Sequence, residues 1–294
     1  MTALTAVKPE IKPEVKPKIL ISGRAGVGKT MFALEFPTPY YIDTEGGATR
    51  RQYQERLIAN GGAYFGKEQG SQDFNIVLEQ IKSLGTTKHH YKTLVIDSFS
   101  HLYLTAAAIA EETVGSDYSR DRKEANRPSR QLIRWIEKLD MTVLLVCHHK
   151  DKWERNLKKE LVYAGSTFDG FDKLEFTLDL WIEATKREKI RAFFVKKSRI
   201  DSFPEGAEFP LLYAEFSELY GKSVIEQEAK PIVTATPEQL EKLEGLLKVV
   251  TIDPETVERA LKKADADNWK DMSSENIQKF IEYVQKRVTE VTKK

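Results

Sequence analysis

Residues 23–30 read Gly23-Arg24-Ala25-Gly26-Val27-Gly28-Lys29-Thr30, and every position fits the nucleotide loop GxxxxGK[ST]. In such a loop, successive backbone amides surround phosphate oxygens, and glycines let the chain wrap that closely. Lys29 supplies a positive charge to the β- and γ-phosphates, and Thr30 supplies a hydroxyl to magnesium. The chemistry implied is phosphoryl transfer from ATP with Mg2+. Phosphoryl transfer also needs a carboxylate near the dication. Asp97, which ends the apolar run LVID, is the natural candidate; a helix-capping role ahead of SFSHLYL is the competing reading, and the two are compatible. Hydrolysis needs a group that orients or deprotonates water. YIDTEGG offers Asp43 and Glu45, and Glu45 lies two residues further into the loop.

The segment VLLVCHHKDKWERN (143–156) raises a second question, because it joins an apolar run to two of the chain's five histidines. Neighbouring residues of an extended strand point to opposite faces, so His148 and His149 are poorly placed to share one metal. The lone cysteine, Cys147, and the lack of any cluster with ligand spacing also argue against a transition metal, and one cysteine cannot form an intramolecular disulfide.

Two stretches have the cation density that phosphate contacts need. SRDRKEANRPSRQLIR (119–134) carries Arg120, Arg122, Lys123, Arg127, Arg130 and Arg134 against Asp121 and Glu124. KDKWERNLKKE (150–160) places Lys150, Lys152, Arg155, Lys158 and Lys159 around Trp153, a ring able to stack on a base of a single strand. The competing reading is solvated loops of mixed charge with a packed tryptophan. Neither stretch has a base-reading pattern, so little sequence specificity is expected.

These residues need a scaffold that gathers them. Lys18–Ser22, Tyr40–Asp43, Thr93–Asp97 and Thr142–Cys147 are short apolar runs without polar alternation, separated by helical patterns over 29–36, 69–84, 99–112 and 129–139. That alternation predicts an α/β P-loop fold with a mostly parallel sheet covered by helices on both faces. Its active residues lie beyond the carboxyl ends of the strands. Two later runs, 177–185 and 189–195, joined by the short KRE connection, predict an antiparallel hairpin at one sheet edge. Residues 1–17 alternate Lys-Pro with Glu and read as an extended arm, 18–226 as the ATPase core, and 227–236 as a linker. Residues 237–294 read as a small helical domain, opened by Thr236 as cap and Pro237 at the first helical position, with an apolar stripe at Ile277, Ile281 and Val284.

With 294 residues, 40% apolar and 31% charged, the chain has a globular composition. A formal charge of +1 implies no polyanionic partner by itself, so such a partner must be read from local patches. The absence of a long apolar span and of a signal-like start leads to the expectation of a cytoplasmic protein with no membrane partner.

From about Lys18 to Phe216 the sequence resembles the RecA family core, and most narrowly the short RecA-like ATPases of bacteriophages that act as single-strand annealing recombinases. The resemblance rests on GRAGVGKT, YIDTEGG, LVIDS, VLLVCHH, VKKSRIDSF and AEFPLLYAEF in this order. It implies that Glu45 activates water and that Asp97 supports magnesium. His148, standing where the family usually has glutamine, would sense the γ-phosphate and pass its state to a DNA-binding loop at 150–165. It further implies that Lys197 and Arg199, with Lys196 as an alternative, reach into a neighbouring protomer's ATP site. The expected partners are single-stranded DNA and further copies of the chain in a filament or ring, with a single-strand-binding protein as a candidate for the C-terminal helices. For a phage protein, the location would be the host cytoplasm. RecA itself has an N-terminal helix that packs on its neighbour, whereas this chain has only the Lys-Pro-Glu arm. The competing functions are a motor or loader ATPase of DNA replication and a nucleotide-switched protein-assembly module.

Overall fold

The structure is a computed structural model that describes residues 14–114 and 118–292, together with residues 6, 8 and 10; for 109–114, 118–127 and 291–292 only the backbone is described. Ten strands are present among the described residues: β1 (Lys18–Ser22), β2 (Pro39–Asp43), β3 (Ala63–Phe65), β4 (Thr93–Asp97), β5 (Thr142–Cys147), β6 (His149–Arg155), β7 (Leu161–Phe168), β8 (Leu180–Arg187), β9 (Ile190–Ser198) and β10 (Glu208–Pro210). The helices are α1 (Lys29–Ala33), α2 (Arg51–Ala59), α3 (Phe74–Thr86), α4 (Phe99–Val114), α5 (Tyr118–Lys138), α6 (Leu174–Thr177), α7 (Tyr213–Tyr220), α8 (Lys222–Ile225), α9 (Pro237–Val249), α10 (Pro254–Lys263) and α11 (Ser274–Thr292).

Eight of these strands form one sheet in the order β10-β9-β8-β1-β5-β4-β2-β3. From β8 to β3 every pairing is parallel, while β9 and β10 add an antiparallel edge. Both faces are covered, which is why the central strands are apolar throughout. Along β5, Val143, Leu145 and Cys147 enter one core with α3, α4 and α5, while Leu144 and Val146 enter the other with α1 and α7. The RecA-like P-loop architecture expected from the sequence is therefore the one observed. Its strand order sets β5 between the phosphate-loop strand β1 and the Asp97 strand β4.

Several boundaries differ from the sequence expectation. The helical pattern over 69–84 starts only at Phe74, because Asp73 turns the chain and its carboxylate caps the amides of Asn75 and Ile76. The strand expected at 177–185 begins at Leu180, after the short helix α6. The basic stretch 119–134 lies within α5 rather than in a loop. Leu132, Ile136 and Leu139, at helical spacing, are buried in the core shared with α3, and the helix runs through Pro128. Likewise 150–165 is no irregular loop. It is the bulk of a hairpin, β6–β7, that forms a two-stranded sheet of its own.

The arm ends earlier than expected. Lys16 is buried, and its ammonium donates to the carbonyls of Asp140 and Glu228 at 2.9 Å each, so the residues just ahead of β1 belong to the core. The segment 227–236 also lies on the core, where Ile232 N–H donates to Gly85 O at 2.7 Å and Lys230 N–H to Asp140 Oδ2 at 3.0 Å. Beyond it, α9 and α11 build a separate apolar cluster holding Leu243, Ile277, Ile281 and Val284. Thr236 accepts from Gln239 N–H and Pro237 opens α9. Ion pairs Lys82–Asp271, Arg134–Asp267 and Lys138–Asp265 fasten this unit to α3 and α5.

Candidate nucleotide site and its neighbouring hairpin

The sheet register brings the chemistry together. Ser22 lies opposite Cys147, Val146 opposite Asp97, and Asp97 opposite Asp43, so the carboxyl ends of β1, β5, β4 and β2 form one rim. The phosphate loop leaves that rim from Ser22. A Cβ on Gly23 would stand 2.6 Å from Ala184 O, so only glycine lets the loop pass β8. Gly28 has φ 108° and ends the loop at α1, with the Arg191 side chain across it.

Lys29 is buried and its ammonium donates to Gly23 O at 2.8 Å and Arg24 O at 3.0 Å, holding the charge inside the loop. Burial pushes its pKa below the usual lysine value, opposed by Asp97 and Glu45. Thr30 Oγ1 donates to Asp97 Oδ2 at 2.5 Å. Burial raises the Asp97 carboxyl to about 6, against the Thr30 hydrogen bond that lowers it. A hydroxyl touching a buried carboxylate is the donor pair a hard, oxygen-seeking dication would take, and a dication would favour the ionised acid. Thr30 and Asp97 thus fit Mg2+.

Hydrogen bonding sets Asp43 and Glu45 apart. Asp43 is buried and its two oxygens accept from the amides of Glu45, Gly46 and Ala48, so it shapes the turn. Glu45 is half-exposed and its Oε1 lies 2.8 Å from His148 Nε2. The pair sits at the exposed rim, where a water could be oriented. His148 follows β5 directly. Its amide donates to Ser100 Oγ at 2.9 Å, Ser100 Oγ donates to Asp169 O, and Asp169 N–H donates to His148 O at 2.8 Å. Ser100 on α4 thereby clamps both ends of the β6–β7 hairpin.

The hairpin projects from that clamp with little burial beyond its root. Trp153 pairs with Tyr163, their rings 5.7 Å apart in an edge-on arrangement, and each is 57% exposed. Leu157, Leu161 and Val162 are exposed beside them. An isolated two-stranded hairpin with exposed apolar side chains is marginal in water. Its cations fall into two groups. Lys150 pairs with Asp169 and Asp172, and Lys152 pairs with Glu154 at 2.7 Å. Among the described residues, no carboxylate lies within ion-pair distance of Arg155, Lys158 or Lys159, which surround the tip.

Of the α5 candidates, the side chains of Arg120, Arg122, Lys123 and Arg127 lie outside the described residues. Arg130 is exposed. Arg134 is held by Asp267 and faces the C-terminal helices rather than an open surface.

Lys197 and Arg199 are not brought to their own phosphate loop. Ser198 lies opposite Leu180, which lies opposite Ile19, at the end of the sheet away from Ser22. Lys197 Nζ donates to Leu178 O, and the Arg199 guanidinium donates to the carbonyls of Phe176 and Thr177. Lys196 pairs with Glu183 at 3.3 Å and lies over Trp181. The sequence did not single out Arg191, which lies against Gly28. Its approach to Gly28 depends on the β8–β9 register, which leaves no local motif.

The sheet and the loop define a RecA-like P-loop ATPase. A family model described as an AAA domain (AAA_24) matches residues 15–200, more than half of the sequence, and the chain belongs to that family. No curated protein matches. Among solved structures, the RadB recombinase is similar at 17% identity over 65% of this chain and 84% of that one, with a TM-score of 0.40. A prototypical ATPase from the type III secretion system of pathogenic bacteria is similar at 13% identity over 93% and 81%, with a TM-score of 0.38. Among the described residues, no helix is long and apolar enough to cross a membrane.

Proposed function

We propose that the chain binds single-stranded DNA under the control of ATP, as an annealing or recombination ATPase that works in a ring or filament. The observation that carries this reading is the His148–Glu45 contact of 2.8 Å, because it joins the water-activating candidate to the root of an exposed, aromatic, basic-tipped hairpin. Lys29 and the loop amides hold the phosphates. Thr30 and Asp97 hold Mg2+, which supplies charge neutralisation when bound. Glu45 orients water, and His148, released from Glu45 when a γ-phosphate competes for its ring N–H, reports the nucleotide to β6. Trp153 and Tyr163 stack on bases, while Arg155, Lys158 and Lys159, with the basic residues of α5, contact phosphates. Lys197 and Arg199 complete the site of an adjacent protomer.

The test is ATP hydrolysis with and without single-stranded DNA, beside DNA affinity with and without a non-hydrolysable ATP analogue. Stimulation together with analogue-dependent affinity is expected; absence of both removes the coupling. A second reading, a nucleotide-switched module that holds a protein, is favoured by exposed Leu157, Leu161 and Val162. It predicts no retardation of a labelled oligonucleotide.

A further inference from the structure

A second set of contacts joins the hairpin to the phosphate loop, on the opposite side of the strand end from His148. The hairpin root is the cross-strand pair His149 and Phe168. Each member rests on one of two residues, Ser22 and Trp181, that are themselves hydrogen-bonded. His149 Nε2 lies 3.2 Å from Ser22 Oγ, and the Phe168 ring meets Trp181 edge-on with centroids 5.1 Å apart. Trp181 Nε1 in turn donates to Ser22 Oγ at 2.8 Å. Ser22 and Phe168 are buried, and Trp181 is nearly so. Ser22 is bonded directly to Gly23, the first residue of the phosphate loop.

The chemistry of the joint is specific. A buried indole N–H must find an acceptor, and the Ser22 hydroxyl is the one provided. A hydroxyl can accept that proton and still exchange a second hydrogen bond with the imidazole. Glu183 Oε1, 3.7 Å from His149 Nε2, and Lys196, paired with the other Glu183 oxygen, close the network on the β8–β9 side. A cavity of about 450 Å³ lies directly above, lined by Gly23, Arg24, His148, His149 and Tyr163. The start of the loop and the hairpin thus face each other across open space, and the joint is where they touch.

We infer that Ser22 and Trp181 are positioning residues that transmit the state of the phosphate loop to the β6–β7 hairpin through His149 and Phe168. This deepens the proposed function and rests on its reading of the hairpin as the part that responds to nucleotide, but not on DNA being its ligand. When the loop closes on phosphates, Gly23 moves Ser22. The Ser22 hydroxyl then pulls on the indole and imidazole together, so both hairpin strands shift as one body.

The experiment is hydrogen–deuterium exchange of the 150–167 amides in the full chain, with and without Mg2+ and a non-hydrolysable ATP analogue, and without DNA. In the wild type the analogue should slow exchange there by at least about fivefold, the low end of ordinary coupling energies. Ser22→Ala and Trp181→Phe should each abolish that protection, and Ser22→Thr, which keeps the hydroxyl, should restore it. Affinity for a fluorescent ATP analogue should stay within about twofold, since no group on the phosphates is removed. Retained protection in both variants overturns the inference, and so does a wild-type hairpin indifferent to nucleotide. A parallel loss of nucleotide affinity would make the residues merely structural and overturns it too. Failure of the DNA reading would show separately, as a wild type that responds to nucleotide yet binds no oligonucleotide.

Discussion

The proposed function gives Glu45 and His148 different roles at one contact, and substitution separates them. Glu45→Gln keeps the size and the hydrogen bond to His148 but removes the charge that draws a proton from water. Hydrolysis should fall by roughly 10²–10⁴, the ordinary range for a lost general base, with nucleotide affinity little changed. His148→Ala should keep ATP binding and abolish the analogue's effect on DNA affinity. Measuring turnover and DNA affinity on both variants checks the division; His148→Ala that retains the full ATP effect would remove its sensor role. The sequence made this site legible because each residue lies at a strand end, where a parallel sheet gathers distant segments. Residue spacing alone left Asp43 and Glu45 unseparated, and only the family resemblance favoured Glu45. That choice depends on three backbone amides converging on Asp43, a feature of turn geometry that no spacing displays.

At the level of elements, apolar runs identified the central strands, but exposed elements were harder to read. The β6–β7 hairpin has eight charged residues in twenty and packs little, so its pattern resembles a loop. Its strand character comes from pairing, with a bulge between Asp151 and Trp153. Trp153 should contribute strongly to single-strand affinity. Trp153→Ala is expected to cost about 1–3 kcal/mol by fluorescence anisotropy with an oligonucleotide. Lys152→Ala should cost far less, because Lys152 already has Glu154 as partner. Equal losses would show that charge, not stacking, holds the strand. At the other end of β1, Lys18 is buried, its ammonium donating to Leu139 O at 2.8 Å and Met141 O at 2.5 Å. Burial pulls its pKa from 10.5 down to about 8, against Asp179 and Asp140. Between these values the unfolded chain binds more protons, so stability rises with pH across that window. Below pH 8 the cost of the buried charge is present in full. Wild type minus Lys18→Met, by urea unfolding at pH 7 and pH 10, should gain roughly 2–3 kcal/mol at the higher pH. A flat difference would mean that Lys18 is already neutral or well solvated.

For the whole molecule, the decisive question is whether one chain holds a complete site. Lys29, Thr30, Glu45 and Asp97 share one rim, while Lys197 and Arg199 lie toward the opposite end of the sheet, bound to carbonyls of their own chain. Their hydrogen bonds go to carbonyls, and Asp179, Glu205 and Glu175 act on Lys197 and Glu137 on Arg199 at longer range. A phosphate brought to that edge by a second protomer would compete with these groups for the guanidinium. The geometry keeps Lys197 and Arg199 away from the phosphate loop of their own chain, so the role proposed for them requires a second chain. This gives a prediction that no single-chain mechanism shares. Lys29→Ala loses its own phosphate site but retains Arg199, and Arg199→Ala has the reverse defect. Each alone should be nearly inactive. In a ring or filament formed from both, an Arg199→Ala protomer's intact phosphate loop can be completed by the Arg199 of a neighbouring Lys29→Ala protomer. For random mixing at equal amounts, about one interface in four then carries both groups, and activity should recover to roughly that fraction if interfaces act independently. Mixing the purified variants and measuring ATP hydrolysis against protein concentration checks this. Recovery should appear only above the concentration at which the chains associate. Activity in the mixture equal to the mean of the two variants would show that Arg199 does not act across a protomer boundary.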